Sequence, residues 1–199
     1  MTMSSTKHFI RRGFTLVELM VSLGIFTFMT LLLVTKYGNF NQSVLLTDLA
    51  YDVALTIRTA QTYGLSVKNA GTGTNPFQYS YGVDFSPETS GLNNNRVLTF
   101  FVDINGNNYY DGGDLVVSTY SIKRGAKILS VCSGSGPGSC TAPSSPAQLD
   151  VTFKRPNPDA IICANGVCGS SYAMVTLEGT GGGIRTVVVR DNGQISVGE

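Results

Sequence analysis

Histidine and tryptophan are almost missing from this chain. Its 199 residues include no tryptophan and a single histidine, His8. Imidazole is the commonest general base and metal ligand in proteins, so no Ser-His, Cys-His or metal-His site can be written beyond residue 8. Paired carboxylates alone do not replace such a site. The composition therefore predicts a protein that is not an enzyme and has no catalytic cofactor.

Charge is nearly absent from one long segment. Three basic residues, Lys7, Arg11 and Arg12, precede it, and from Phe14 to Val34 the only ionisable side chain is Glu18. A helix of this length rises about 31 Å, close to the hydrocarbon thickness of a bilayer. The segment can therefore span a membrane. An ionisable group in such a span is costly and usually functional.

Three interpretations of this segment compete. A secretory signal peptide has a shorter apolar core that ends at an A-x-A-like site, and no such site follows Val34. A plain transmembrane anchor explains the length but leaves Glu18 without a role. The third interpretation rests on the run Gly13-Phe14-Thr15-Leu16-Val17-Glu18 and the basic leader before it. This run resembles the processing site of type IV prepilins and pseudopilins.

The resemblance implies a processing and assembly route. Prepilin peptidase would cut between Gly13 and Phe14 and methylate the new amino terminus at Phe14. Glu18 would pair with the terminal amine of a neighbouring subunit, which compensates a carboxylate held in an apolar setting. The implied partners are the pilus or secretion assembly platform and other pilins in a helical filament. The implied location is first the inner (cytoplasmic) membrane, as a single-pass precursor, and then an extracellular pilus or periplasmic pseudopilus.

The hydrophobic pattern divides the chain into four parts. Residues 1–13 are the leader, 14–40 the transmembrane and filament-core half of a long helix, 41–69 its amphipathic half, and 70–199 a globular β domain. In the amphipathic half, apolar or small residues recur at steps of three or four, which predicts one stripe facing a sheet. These residues are Leu46, Leu49, Val53, Ile57, Ala60 and Gly64.

Beyond Pro76 the hydrophobic period changes from 3.6 to 2, which is typical of strands. The β-rich runs are 77–85, 97–104, 115–122, 126–131, 148–154, 172–177, 184–190 and 195–197. Short polar breaks and no long helices separate them, which favours antiparallel pairing. The predicted fold class is α+β, pilin-like, with a long N-terminal helix packed on an antiparallel β-sheet domain.

A narrower resemblance involves the helix and the C-terminal tail. Asp48–Ala50, Ile57–Gln61 and Arg185–Val197 are similar to the GspH and FimT class of minor pilins and pseudopilins. That class implies a low-abundance subunit that primes or caps a filament, in a pilus or a type II secretion pseudopilus. A major pilin is the alternative that this part of the sequence leaves open.

Four cysteines lie in two short intervals. Cys132 and Cys140 flank a Ser/Gly/Pro run, and Cys163 and Cys168 flank Ala-Asn-Gly-Val. In an exported domain an even number of cysteines predicts disulfides, and of the three connectivities the two local pairs are favoured. Zinc is disfavoured because neither interval has the usual C-x2-C spacing.

One loop alternates oxygen-bearing side chains at the spacing of an EF-hand. Positions 1, 3, 5, 7, 9 and 12 are Asp103, Asn105, Asn107, Tyr109 by its carbonyl, Asp111 and Asp114. Asn108 stands where glycine is expected, Asp114 is shorter than the usual Glu, and strands flank the loop. Calcium binding is one prediction. The alternative is a polar loop whose Asn, Asp and Gly residues satisfy turn geometry without a metal.

Five basic residues raise a competing function, a DNA-binding minor pilin of a competence or DNA-uptake pilus. They are Lys123, Arg124, Lys127, Arg185 and Arg190. Phosphate binding requires clustered positive charge, but residues 14–199 contain 11 basic and 13 acidic side chains. Strand alternation also predicts that Arg185 and Arg190 lie on opposite faces of their strand.

Overall fold

The computed structural model describes residues 13–71, 73, 75–88, 94–140 and 146–198, with 35–41 described by their backbone alone. The chain divides into two compact units, Met1–Phe40 and Asn41–Glu199. The predicted four-part division, with its leader and membrane half, remains a prediction.

The helix α1 comprises Leu16–Leu65, slightly shorter than the predicted helix of residues 14–69. Thr15 caps its first turn, because the Thr15 hydroxyl accepts the backbone N–H of Glu18 at 3.3 Å. After the last turn, the Asn69 side chain accepts the N–H of Gly71 at 2.7 Å. Gly71 has a φ of 77°, a left-handed conformation that suits glycine and turns the chain away from the helix direction.

Within the described residues, ten strands form two antiparallel sheets, which confirms the α+β fold class. The strands are β1 (Ser80–Phe85), β2 (Val97–Asp103), β3 (Leu115–Ser121), β4 (Lys127–Gly134), β5 (Leu149–Phe153), β6 (Ala160–Ala164), β7 (Val167–Ser170), β8 (Tyr172–Glu178), β9 (Ile184–Arg190) and β10 (Ile195–Gly198). The order is β3-β2-β1-β5-β6-β7 in one sheet and β10-β9-β8-β4 in the other. Strands β6 and β7 were not predicted from the sequence, and neither was the division into two sheets.

The predicted apolar stripe of α1 is buried in a core that it shares with both sheets. Val53, Ile57 and Ala60 are completely buried. Near the end of the helix, the buried Gln61 side chain donates to the carbonyls of Pro158 and Gly193, each at 3.1 Å. The C-terminal half of α1 is therefore held by apolar packing and by hydrogen bonds to two separate turns.

Strand β1 is buried on both faces. Tyr81, Val83 and Phe85 belong to the core beneath α1. Asp84, on the other face, is also buried. Part of the cover on that face comes from the segment after β2, where the ring of Tyr110 lies 5.2 Å from that of Phe101. This second covered face brings several carboxylates together away from solvent.

Candidate functional site

The N-terminal apolar segment is fully exposed. Leu16–Val34 is long and apolar enough to cross a membrane, with a mean hydropathy of 2.2 and none of it buried. Phe14 precedes the helix and is 75% exposed. A surface of this kind requires a lipid or protein partner, since soluble proteins rarely expose large contiguous apolar patches. The basic leader residues 1–12 lie outside the described residues.

Glu18 lies in the first turn of α1, and its side chain is exposed. The spacing Thr15-x-x-Glu18 matches a capping box, and the structure forms the half in which Thr15 accepts the Glu18 N–H. The sequence analysis missed this role of Thr15. A carboxylate is also favoured here by the partial positive charge of the helix N-terminus. The pairing of Glu18 with a neighbouring subunit's amine involves a second chain and remains a prediction.

The predicted calcium loop is anchored by Asp103 at the end of β2. This carboxylate is 1% exposed. It accepts the backbone N–H groups of Gly106, Asn107 and Asn108 at 2.7, 3.1 and 3.0 Å. It also accepts the Ser80 hydroxyl at 2.8 Å. Asp103 therefore holds the first half of the loop against β1.

Four of the five other predicted ligands also accept hydrogen bonds from the loop itself. The side-chain oxygens of Asn105 and Asn107 accept backbone N–H groups two residues ahead. Asp111 accepts both asparagine side-chain amides, at 3.0 and 2.7 Å. Asp114 accepts the N–H groups of Ile104 and Asp111, each at 3.0 Å. The loop thus closes through its own donors, as the metal-free alternative requires.

The pKa values of two loop carboxyls are shifted in opposite directions. The backbone N–H of Gly113 lowers the pKa of Asp111, whereas burial raises the pKa of Asp114. Within the described part of the chain, no three acidic, histidine or cysteine side chains are arranged to hold a metal ion. Calcium at this loop therefore remains a prediction without direct support.

Both local disulfides are present in the structure, Cys132–Cys140 and Cys163–Cys168. The second crosslinks the hairpin of β6 and β7, where the two cysteines are register partners. This hairpin contacts the Asp103–Asp114 loop. The sulfur of Cys168 lies 3.8 Å from the carbonyl oxygen of Asn107.

The five basic residues do not form one surface among the described residues. Lys127 forms an ion pair with Glu178 at 3.0 Å. Arg185 donates to the Thr47 hydroxyl on α1 at 3.2 Å, so it lies on the helix side of β9. Arg190 lies over the ring of Tyr172, on the opposite face of β9.

The remaining two basic residues, Lys123 and Arg124, border a groove of about 330 Å³ beside α1. Asp48 and Asp52 of the helix line the other side, so the groove carries both signs of charge. The Tyr120 hydroxyl donates to Asp52 at 2.8 Å. Burial, reinforced by this bond, raises the pKa of Tyr120 to about 12. This groove was not predicted from the sequence, because its walls come from distant parts of the chain.

Comparison with known proteins bears on the N-terminal segment. The family model of the prokaryotic N-terminal methylation motif matches residues 10–34, which include the predicted cleavage site, Glu18 and the exposed apolar helix. Searches among curated proteins and among solved structures found no match.

The motif and the apolar helix fit a membrane-anchored precursor. The motif implies processing by prepilin peptidase and assembly with other pilins, and it points to a structural subunit and not to an enzyme. The match to residues 10–34 therefore supports a type IV pilin-type N-terminal segment in this chain.

Proposed function

We propose that this chain is a type IV pilin-like structural subunit, a minor pilin or pseudopilin, that is cut after Gly13 and assembled into a filament. The observation that carries the proposal is the fully exposed apolar helix within the methylation motif, with Glu18 in its first turn. The globular unit formed by residues 41–199 has its own core and would be carried on the filament surface.

The exposed apolar side chains of the N-terminal helix favour burial. Burying one large apolar side chain stabilises a structure by roughly 1.5–3 kcal/mol, so Leu16–Val34 has a strong tendency to leave water. In the precursor, these apolar side chains are buried in a bilayer. In a filament, they are buried among the helices of other pilins. Glu18 then needs a positive partner, because an unpaired carboxylate in an apolar setting is costly. The terminal amine of Phe14 in a neighbouring subunit supplies that charge.

The finer role rests on the resemblance of the helix and tail to the GspH and FimT class. We infer a low-abundance subunit, in a pilus or in a type II secretion pseudopilus. Quantitative mass spectrometry of sheared filaments separates this role from that of a major pilin. A minor subunit is present far below the principal pilin, whereas a major pilin makes up most of the fraction.

A DNA-binding role has less support. Arg185 and Arg190 lie on opposite faces of β9, and Lys127 is paired with Glu178. Binding to phosphates would weaken steeply with added salt, because each contact releases counterions. Retention of duplex DNA that falls with salt, and that Lys123→Ala reduces, would favour this alternative over a purely structural subunit.

Processing and assembly are tested separately with three variants in the native host. Gly13→Val is expected to leave an unprocessed precursor in the membrane, since the cleavage site is altered. Glu18→Val is expected to be cut but to be depleted from sheared filaments, since the partner of the Phe14 amine is lost. Gly24→Ala is the control, because an added Cβ meets no atom within 4 Å.

The readouts are gel mobility and mass spectrometry of the amino terminus. Cleaved parent and control chains should begin at a methylated Phe14. Normal cleavage of Gly13→Val together with normal incorporation of Glu18→Val would overturn the proposal. Depletion of the Gly24→Ala control from filaments would show that any change in the helix disturbs assembly, and depletion of Glu18→Val would then not support a specific role of Glu18.

A further inference from the structure

Two carboxyl groups that are not among the predicted calcium ligands face each other inside the second unit. Asp84 on β1 and Asp150 on β5 are register partners in an antiparallel pair. Directly opposite residues point to the same face of a sheet, with Cβ atoms about 4.5–5.5 Å apart. Asp84 is 1% exposed and Asp150 is completely buried. Two acidic groups therefore occupy one water-excluded site.

The hydrogen bonds of this pair are unequal. One oxygen of Asp150, Oδ1, accepts the backbone N–H of Tyr110 at 3.0 Å and the side-chain amide of Gln148 at 3.3 Å. Among the described residues, neither the other oxygen, Oδ2, nor either oxygen of Asp84 has a hydrogen-bond partner. Buried polar atoms are nearly always paired, so three orphaned oxygens side by side require an explanation.

Within the described part of the chain, the groups that act on the pair include no positive charge. Thr99 of β2 is the register partner of Asp84, and Cys163 of β6 is the register partner of Asp150. Cys163 is bound in a disulfide and does not ionise. From the covering loop, Asp114 acts on Asp150 as a like charge. Among these described neighbours, none can neutralise two carboxylates.

One proton held between Asp84 and Asp150 accounts for both the orphaned oxygens and the lack of a neutralising positive charge. If Asp84 is protonated, its O–H can donate to the orphaned Oδ2 of Asp150, and hydrogen bonds to a carboxylate are among the strongest in proteins. Asp150 then keeps its single charge with the donors of Tyr110 and Gln148. Consistently, burial and repulsion from Asp150 raise the pKa of Asp84 to about 9, and burial raises the pKa of Asp150 as well.

We propose that Asp84 and Asp150 share one proton at neutral pH and form a pH-sensitive latch for the segment 104–114. When the proton leaves for solvent, two adjacent buried carboxylates repel and require water. Water can reach them when the segment that carries Tyr110 lifts from the sheet. Gln148 connects the carboxyl pair to the segment 104–114, because its side-chain amide donates both to Asp150 and to the carbonyl of Tyr110, the latter at 2.8 Å.

The direction of the pH effect follows from proton linkage. A carboxyl whose pKa is raised by folding binds more protons in the folded state than in the unfolded state. Its stabilising contribution is complete below the unfolded pKa and is lost as the pH rises through the folded pKa. The globular unit should therefore melt at a lower temperature at about pH 9, the pKa of Asp84, than at about pH 5.

The full chain in detergent micelles provides the test. Its melting temperature is followed by near-ultraviolet circular dichroism of tyrosine, and hydrogen exchange of segment 104–114 is measured by mass spectrometry. Asp84→Asn keeps the shape and a permanent donor towards Asp150, so its melting temperature should change much less between the two pH values. Asp159→Asn, an exposed carboxylate, is the control and should behave as the parent.

Hydrogen exchange is compared between the parent and Asp84→Asn at the same pH, so that the intrinsic dependence of amide exchange on pH is the same in both. At alkaline pH the segment should exchange several-fold faster in the parent. Equal pH dependence of parent and Asp84→Asn overturns the shared proton, and unchanged exchange of 104–114 overturns the latch. If Asp84→Asn does not fold, the shared proton is tested instead by infrared spectra of the parent with isotope-labelled aspartate. A protonated carboxyl C=O band at neutral pH supports the proposal, and its absence refutes it.

Discussion

Gly64 is the point where α1 and β5 touch through their backbones. A Cβ atom added at Gly64 would overlap the carbonyl oxygen of Phe153 and would lie 2.8 Å from the carbonyl carbon. The Gly64 carbonyl also accepts the N–H of Arg155 at 3.1 Å. These contacts involve rigid backbone atoms, so a larger residue would force the helix or the strand to move.

The expected effect of Gly64→Ala is the difference of two terms. Within a helix, alanine is favoured over glycine by about 0.5–1 kcal/mol. Overpacking of a well-packed contact costs about 1–3 kcal/mol, and a backbone clash belongs at the upper end. The free energy of unfolding should therefore fall by about 1–2 kcal/mol. For a unit of this size, each kcal/mol lowers Tm by about 2–4 °C, which predicts a decrease of about 2–8 °C.

Thermal melts in the near ultraviolet measure this loss. The chain has nine tyrosines and no tryptophan, and the ring of Tyr63, one residue before Gly64, lies 5.7 Å from that of Tyr81. Gly112→Ala is the matched control, because nothing lies within 4 Å of a Cβ there. Its stability should change by less than about 0.5 kcal/mol. If Gly64→Ala melts at or above the parent's Tm while the control is neutral, the close approach of α1 and β5 is refuted.

Three further predictions use the same preparation. Gln61→Ala should lower the free energy of unfolding by about 1–3 kcal/mol in the same melts, because two turn carbonyls lose their donor, whereas the exposed Thr62→Ala should change it little. Replacing Cys163 and Cys168 by serine should lower the free energy of unfolding by about 2 kcal/mol in denaturant titrations. If a reductant leaves the unfolding of the parent unchanged, this prediction is wrong. The predicted calcium site is tested by calorimetry. Saturable heat in the parent that Asp111→Ala abolishes supports it, and no heat in the parent refutes it.

Regular periodicity made most of the β domain predictable. The strands with alternating apolar residues, such as Val97–Asp103 and Ile184–Arg190, lie where the pattern placed them. The hairpin of β6 and β7 was missed. Its first strand is only five residues long and its second only four, so neither gives a clear period, and the disulfide that crosslinks them is a tertiary feature.

The polar face of β1 shows where pattern reasoning ends. Alternation places Asp84 opposite the apolar residues of β1, a position that is usually exposed to solvent in a two-layer fold. In the structure it is buried, because β1 is an inner strand and the segment containing Tyr110 lies over this face. The pairing with Asp150, 66 positions later, depends on strand register, which no local window of the sequence contains.

The sequence alone determined the N-terminal segment of this protein. Its lack of charge, its length and the residues around Gly13 and Glu18 are local properties, and transfer into a bilayer depends on local composition. The apolar stripe of α1 was equally readable, since helical periodicity is fixed by backbone geometry. Only the tertiary structure decided which carboxylates are buried away from water and which arginine of β9 lies on the side of the strand that faces α1. Burial is a property of distant segments brought together, and the electrostatic cost of a charge depends on that burial.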